Sequence, residues 1–263
     1  MPMRWSLKAD PRPVYIKTAE QLRIMRRAGS MLWEVFDAIQ HKIGPGVVDT
    51  DLDRMARRMI EKMGAVPAFL GYRGFPATIC CSINEEVVHG IPSGRRFKEG
   101  DIVGIDIGLA WQGFYSDSAY TYPIGRISAA AQRLLQITRE SLDIGVAQMR
   151  PGGYVGDISQ AVQQFAESRG YGVVHEYTGH GIGREMHEAP ECPNFLAASK
   201  GKGVRLRPGL VIAIEPMINE GTGDTRVLDD QWTVVTEDGG LSAHFEHTVA
   251  VTENGPEILT RSE

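Results

Sequence analysis

The sequence predicts an α+β fold made of two related halves, each with a pair of helices followed by a run of strands. Apolar residues recur at helical spacing in four segments, which begin near Thr18, Asp51, Ser128 and Asp157. β-Branched stretches such as the one around Ile105 are typical of buried strands. Because the helices are segregated from the strands, we expect one antiparallel sheet layer and one helix layer.

The two halves repeat the same landmarks at a constant offset, which indicates an internal repeat. The first half has Pro45-Gly46, Asp51-Leu52 and Gly64, and the second has Pro151-Gly152, Asp157-Ile158 and Gly170. We therefore predict a single domain over residues 18–263, with repeats at about 18–123 and 128–253. A loosely attached arm, residues 1–17, precedes it.

The helices carry their own start and stop signals. A capping box, Thr18-Ala19-Glu20-Gln21, begins the first helix, Ser128 caps the third, and Gly170 closes the fourth. The second has an apolar stripe typical of a core, formed by Met55, Met59 and Met63. Further strands are predicted over residues 78–83, 173–177, 210–216, 233–237 and 245–252.

Residues 101–120 predict a hairpin that places two acids together. Asp106 lies in the β-branched first strand and Asp117 in the aromatic second strand. If the loop centres near Trp111 and Gln112, the two carboxylates lie opposite each other, with Cβ atoms about 5 Å apart. Such a pair repels unless one acid is protonated or a cation lies between them. The alternative is that one Asp caps the turn and the other is exposed.

The composition restricts the compartment and the partners. The chain has 263 residues, a net charge of −5, and 42% hydrophobic and 23% charged residues, which is typical of a soluble globular protein. It has no basic run, which argues against a specific nucleic acid partner. Its cysteines (Cys80, Cys81 and Cys192) fit neither a disulfide framework nor a zinc ribbon, which favours a reducing cytoplasm. No segment has the length and apolarity of a signal peptide or membrane span, so no membrane partner is expected.

Superposing the two halves brings five metal-binding side chains together. They are Asp106, Asp117, His180, Glu215 and Glu246. Four acids in apolar strands cannot share a site without multivalent cations. Carboxylates with one imidazole and no thiolate suit divalent Co, Mn, Fe, Zn or Ni, here at a two-metal site.

Five motifs extend this interpretation. They are Thr-Gly-His-Gly-Ile-Gly at 178–183, Ile-Glu-Pro-Met at 214–217, Phe-Glu-His-Thr at 245–248, Cys-Ser-Ile-Asn-Glu at 81–85 and His-Gly-Ile-Pro at 89–92. Together they resemble the type I methionine aminopeptidases of the pita-bread fold, over about residues 18–253. The resemblance implies a curved antiparallel sheet backed by helices. It also implies hydrolytic removal of the initiator methionine from nascent polypeptides, with a small second residue preferred.

The resemblance implies specific metal ligands. Asp117 and Glu246 would bridge the two ions, Asp106 would hold one of them, and His180 and Glu215 would complete the other.

It also implies catalytic roles. Glu215 would pass a proton to the leaving amine, and His89 and His187 would hydrogen-bond the substrate. The remaining histidines are expected to be satisfied core or surface residues: His41, His175, His244 and His247.

A pocket for the methionine side chain is implied near these histidines. Its wall would contain Phe69, Tyr72, Phe75, Cys80, Met186 and Trp232, together with His89 and His187. Phe69 stands where the family usually has Cys, and Met186 stands where it usually has an aromatic residue, which leaves fine selectivity open. A peripheral monovalent cation is also implied, at Asn84, Glu86 and Ser242.

The expected partners are the N-termini of nascent peptides, with the ribosome as a further candidate, and the protein is expected to act as a monomer. Two other hypotheses remain. A pita-bread protein that binds peptides, ribosomes or RNA without catalysis would have lost ligands, and all five are present. A Pro-specific peptidase of the same fold would carry an extra N-terminal domain, which about 17 leading residues cannot form.

Overall fold

The computed structural model describes residues 12–196 and 201–262. Its helices are α1 (Ala19–Gln40), α2 (Asp49–Lys62), α3 (Ala129–Ala147) and α4 (Val155–Glu167), with a 3₁₀ turn at Tyr72–Gly74. Its strands are β1 (Val66–Pro67), β2 (Ile79–Ile83), β3 (Glu86–Val88), β4 (Ile102–Trp111), β5 (Phe114–Pro123), β6 (Gly172–Val173), β7 (Gly179–Gly181), β8 (Glu188–Cys192), β9 (Val211–Ile214), β10 (Met217–Asn219), β11 (Thr225–Val227), β12 (Val234–Thr236), β13 (Ser242–His244), β14 (Glu246–Thr252) and β15 (Gly255–Ile258). No helix in these ranges is both long and apolar enough to cross a membrane. The predicted α+β class is confirmed.

The helix starts follow the predicted signals with one correction. Thr18 and Ser128 cap α1 and α3, and the capping box at Thr18 is complete. Helices α2 and α4 begin at Asp49 and Val155, two residues before the predicted starts in both halves. The constant offset between the halves therefore also holds for these starts.

The methionine stripe of α2 is not the centre of its buried face. The fully buried row, at a spacing of four residues, consists of Leu52, Ala56 and Ile60. The methionines lie beside this row and are only partly buried against the same core. The methionines therefore belong to the predicted core, at its border and not at the centre of the buried face.

A nine-stranded antiparallel sheet joins the two halves. Its order is β1-β4-β5-β14-β9-β7-β8, with β2 also on β4 and β15 also on β14. The halves meet where β5 pairs with β14. Ile105 and Ile107 of β4 pack into one core with Leu32 and Val35 of α1. Since side chains alternate along a strand, Asp106 lies on the face away from these helices.

The β4–β5 hairpin has a different register from the predicted one. Trp111 pairs with Phe114, so the two-residue loop is Gln112-Gly113, and both loop residues have positive φ angles of 48° and 76°. Such a loop matches the twist of a hairpin, and Gly adopts its second position without strain. Asp117 consequently lies opposite Gly108 instead of Asp106. The shift is two residues, so both acids stay on one face.

Several predicted strands are shorter in the structure. The segment predicted at 173–177 is a strand only at Gly172–Val173, and those at 210–216, 233–237 and 245–252 each lose one or more terminal residues. The short strands β7, β8, β10, β11, β13 and β15 were not predicted. Their three to five residues carry too little pattern, and their pairing depends on other segments of the chain.

The part of the predicted arm that the structure describes, residues 12–17, is not loosely attached, and residues 1–11 lie outside the described residues. Val14 forms a parallel bridge with Ala189, and the Lys17 N–H donates to the Gly209 carbonyl at 2.8 Å. The Lys17 side chain is buried as well. A buried lysine is stable only when it is paired, and the sequence did not show which acid would be the partner of Lys17.

Candidate metal centre and active site

One row of side chains crosses four strands of the large sheet. Cys80 pairs with Asp106, Asp106 pairs with Ala119, and Ala119 pairs with Glu246. Paired residues project from the same face of a sheet, as do residues two apart on one strand. Asp117, two residues before Ala119, therefore joins this face.

The second half contributes His180 and Glu215 to the same face. His180 pairs with Ala213, which in turn pairs with Thr248 of β14. Glu215 follows Ala213 by two residues, directly after β9 ends. The structure thus brings all five predicted ligands together, around a cavity of about 100 Å³ that each of them lines.

The five groups lie within reach of shared ions. His180 Nε2 is 3.9 Å from Asp117 Oδ2 and 3.6 Å from Glu215 Oε1. Asp117, His180 and Glu246 each offer one ligand atom, and these atoms all lie within 4.8 Å of one another. Asp106 lies near enough to Asp117 for its charge to raise the pKa of Asp117.

Without cations, this cluster is electrostatically unfavourable. Burial raises the pKa of Asp106 to about 7, and burial and neighbouring acids raise the pKa values of Asp117, Glu215 and Glu246 well above their usual range. One carboxylate oxygen each of Asp106, Asp117 and Glu246 is buried without a hydrogen-bond partner. Burial also lowers the pKa of His180 to about 4, so its imidazole is in the neutral form that binds metals. These residues fit divalent metal ions.

Two more predicted histidines border the cavity. His89 is half-buried, its buried Nδ1 has no hydrogen-bond partner, and desolvation lowers its pKa to about 4. His187 Nδ1 lies 2.8 Å from the Tyr72 hydroxyl, and its ring centroid lies 4.2 Å from that of His180. Burial and nearby cations lower the pKa of His187 well below its usual range. Both imidazoles are therefore neutral hydrogen-bonding groups.

The predicted pocket residues form one apolar cluster beside the acids. The cavity is lined by Phe69, Tyr72, Phe75, Cys80 and Trp232. Phe75 and Trp232 meet edge to face, with centroids 5.1 Å apart. Aromatic rings around a soft thiol suit an unbranched apolar side chain.

Met186 belongs to this cluster but does not line the cavity, which corrects its predicted place in the wall. The reason is Gly108, opposite Asp117 in the hairpin. A Cβ on Gly108 would lie 2.6 Å from Met186 Cε and 2.7 Å from Phe69 Cε1. Met186 and Phe69 both pack over this glycine and belong to the same apolar cluster.

The prediction missed His244, which lines the same cavity. It is buried, its Nε2 has no hydrogen-bond partner, and that atom lies 3.8 Å from Glu215 Oε2. Its spacing of two residues from Glu246 was a signal that both share a face. Other cavity-lining residues that were not predicted are Arg73, Val88, Tyr177, Thr178 and Glu191.

The remaining histidines lie elsewhere, as expected. His41 is exposed, His175 stacks on Phe195, and His247 Nδ1 lies 2.8 Å from Thr260 Oγ1.

The residues predicted for a monovalent cation include one contacting pair. The Ser242 N–H donates to the Asn84 carbonyl at 2.9 Å, and the Glu86 carboxylate pairs with Arg95. The monovalent site stays a prediction.

Comparison with known proteins agrees with this site. The model of metallopeptidase family M24 matches residues 23–253. The chain belongs to metallopeptidase family M24. It is 48% identical over 248 residues to methionine aminopeptidase 1 of Bacillus subtilis (strain 168), which covers 94% of this chain and 99% of that protein.

Solved structures of M24 relatives confirm the pita-bread fold. The chain is similar to methionine aminopeptidase from Rickettsia prowazekii, at 41% identity and a TM-score of 0.92, over 94% of this chain and 100% of that one. It is also similar to methionine aminopeptidase from Thermotoga maritima, at 42% identity and a TM-score of 0.92. The match covers 95% of this chain and 100% of that one. As an M24 metallopeptidase with a fitting cluster, the protein is a metal-dependent hydrolase.

Proposed function

We propose that the protein hydrolytically removes the initiator methionine from nascent polypeptides, prefers a small second residue, and uses two divalent metal ions. The observation that carries this proposal is the convergence of two groups on one cavity. The five candidate ligands and the aromatic pocket beside Cys80 line the same space of about 100 Å³. That volume suits a single side chain next to the reacting bond, and the relatives named above are methionine aminopeptidases.

The ligands would be Asp106, Asp117, His180, Glu215 and Glu246. Bound divalent ions would supply Lewis acidity and would lower the pKa of a water molecule toward neutrality. Glu215 would accept the proton from the attacking water and deliver it to the leaving amine.

The histidines would bind and orient the peptide. Tyr72 occupies Nδ1 of His187, which leaves Nε2 as the nitrogen available to the substrate carbonyl. The unpartnered Nδ1 of His89 would gain its hydrogen bond from the substrate amide. Packing of His89 against Tyr177 and Trp232, at centroid distances of 5.6 and 6.4 Å, leaves little room across the scissile bond, which supports Gly, Ala, Ser or Pro as second residue.

The compartment and the partners belong to the same proposal. The three cysteines are free and buried, which supports a reducing cytoplasm. We propose nascent-chain N-termini as the substrate partners, with the ribosome nearby, and a monomer as the acting form.

The test is reconstitution of the metal-stripped protein. Exhaustive chelation should abolish cleavage of Met-Ala-Ser, and Mn, Co or Fe should restore it when each is titrated separately, with maximal activity at two equivalents. Activity that survives chelation, verified by elemental analysis, would refute the metal mechanism. Leu-Ala-Ser cleaved as efficiently as Met-Ala-Ser would refute the methionine assignment.

A further inference from the structure

A buried ion pair outside the metal centre anchors the loop at residues 183–187, between β7 and β8. Lys17 Nζ lies 2.6 Å from Glu188 Oε2, and each side chain is only 3% exposed. The other carboxylate oxygen accepts the backbone N–H groups of Arg184 at 2.7 Å and Glu185 at 3.2 Å. Glu188 therefore binds the backbone of the loop that precedes it. Through Lys17 it also links this loop to the segment before α1.

The same segment contacts the loop at two further points. Arg12 Nη1 donates to the His187 carbonyl at 2.8 Å, and Val14 bridges Ala189. Gly183 makes the close approach possible, since a Cβ there would lie 2.7 Å from a carboxylate oxygen of the ion pair. These contacts all fix the backbone that presents His187 to the cavity.

We propose that Lys17 and Glu188 are positioning residues, which hold the loop so that His187 reaches the substrate and Met186 supports the pocket wall. A buried carboxylate that loses its charged partner is strongly unfavourable. Glu188 would then turn toward water, and the Arg184 and Glu185 amides would lose their acceptor. The catalytic consequence of this inference rests on the proposed function.

The first test is Lys17→Met, which removes the charge and keeps the length. Hydrogen exchange of the peptide covering residues 183–187 should become faster, while metal content stays at the parent value. The kcat/KM for Met-Ala-Ser should fall on the order of 100-fold, the cost of displacing a catalytic group by about 1 Å. Arg12 is half-buried, and Arg12→Met should have the same effects to a smaller degree. This variant keeps the test decisive if Lys17→Met does not fold.

The double variant Lys17→Met with Glu188→Gln separates positioning from general destabilisation. The amide oxygen of the substituted side chain still accepts from both backbone N–H groups but leaves no unpaired charge, so exchange and kcat/KM should return to within about threefold of the parent. The matched control is Arg23→Met, which breaks an ion pair with Glu20 that is 65% exposed and should change neither quantity.

Three results would overturn the inference: parent-like exchange in Lys17→Met, loss of metal from it, or no recovery in the double variant. If the parent protein itself does not cleave Met-Ala-Ser, the proposed function fails, and the exchange measurements still decide whether the pair holds the loop.

Discussion

Replacing Asp106 by Asn should stabilise the metal-free protein at pH 8 much more than at pH 5. Burial raises the pKa of this carboxyl from 3.8 to about 7 in the folded state, so the folded protein holds the proton more tightly than the unfolded chain. Its contribution to stability is complete below pH 3.8 and is lost as the pH rises toward 7. Each pH unit in that window costs about 1.4 kcal/mol, so about 3 kcal/mol is lost between pH 5 and 7.

The Asn side chain does not titrate, and this loss is absent from the variant. The advantage of Asp106→Asn over the parent should therefore grow by about 3 kcal/mol between pH 5 and pH 8. Urea unfolding in the presence of a chelator measures it, through midpoints compared at constant slope. Mn should then stabilise the parent at pH 8 more than the variant, because only the parent keeps all five ligands.

The matched control is Asp224→Asn, an exposed acid far along the chain, whose effect should be the same at both pH values. If the difference between Asp106→Asn and the parent is also the same at pH 5 and pH 8, the acid cluster is not held under electrostatic strain. The argument for metal ions from buried, repelling carboxylates would then fail.

Other predictions concern the substrate side of the cavity. Alanine at His89 or His187 should lower turnover by about two to three decades, the scale of a lost transition-state hydrogen bond, with parent metal content by elemental analysis; loss of metal would instead identify a ligand. Phe69→Cys should change the ratio of kcat/KM for Met-Ala-Ser to that for norleucine-Ala-Ser, because the ring lines the cavity and one methylene there is worth about 1–3 kcal/mol. Equal ratios in both proteins would remove Phe69 from the pocket wall. Gly108→Ala should raise KM for Met-Ala-Ser without metal loss, because the added Cβ displaces Phe69 toward the cavity, and Met186→Ala added to it should partly restore KM. An unchanged KM in Gly108→Ala would contradict the close packing over this glycine.

The chemistry of the site was readable from the sequence because its signals are local. Thr18 and Ser128 cap helices through contacts with residues three positions away, and Asp106 lies between the apolar positions Ile105 and Ile107 of β4. The repeat then related the first pair of acids to the second, so the cluster could be assembled from the sequence without coordinates. The structure agrees, with Asp106 and Glu246 in one row across the sheet.

What the sequence left open depends on contacts between distant segments. The Gln112-Gly113 turn sets the hairpin register, which places Asp117 opposite Gly108 and not opposite Asp106 as predicted. Gly108 in turn leaves room for both Met186 and Phe69 to pack over it, and of these two only Phe69 lines the cavity.

His244 and Lys17 show the same limit. The spacing of His244 from Glu246 indicated a shared face but no partner, and the sequence showed no partner for Lys17, because each partner is a side chain brought near only by the fold. Glu215 approaches His244 from the end of β9, and Glu188 meets Lys17 from the far edge of the sheet. Local propensities and repeats thus determined which groups form the candidate metal cluster, and only tertiary packing decided how they are aligned and which buried charges lie beside them.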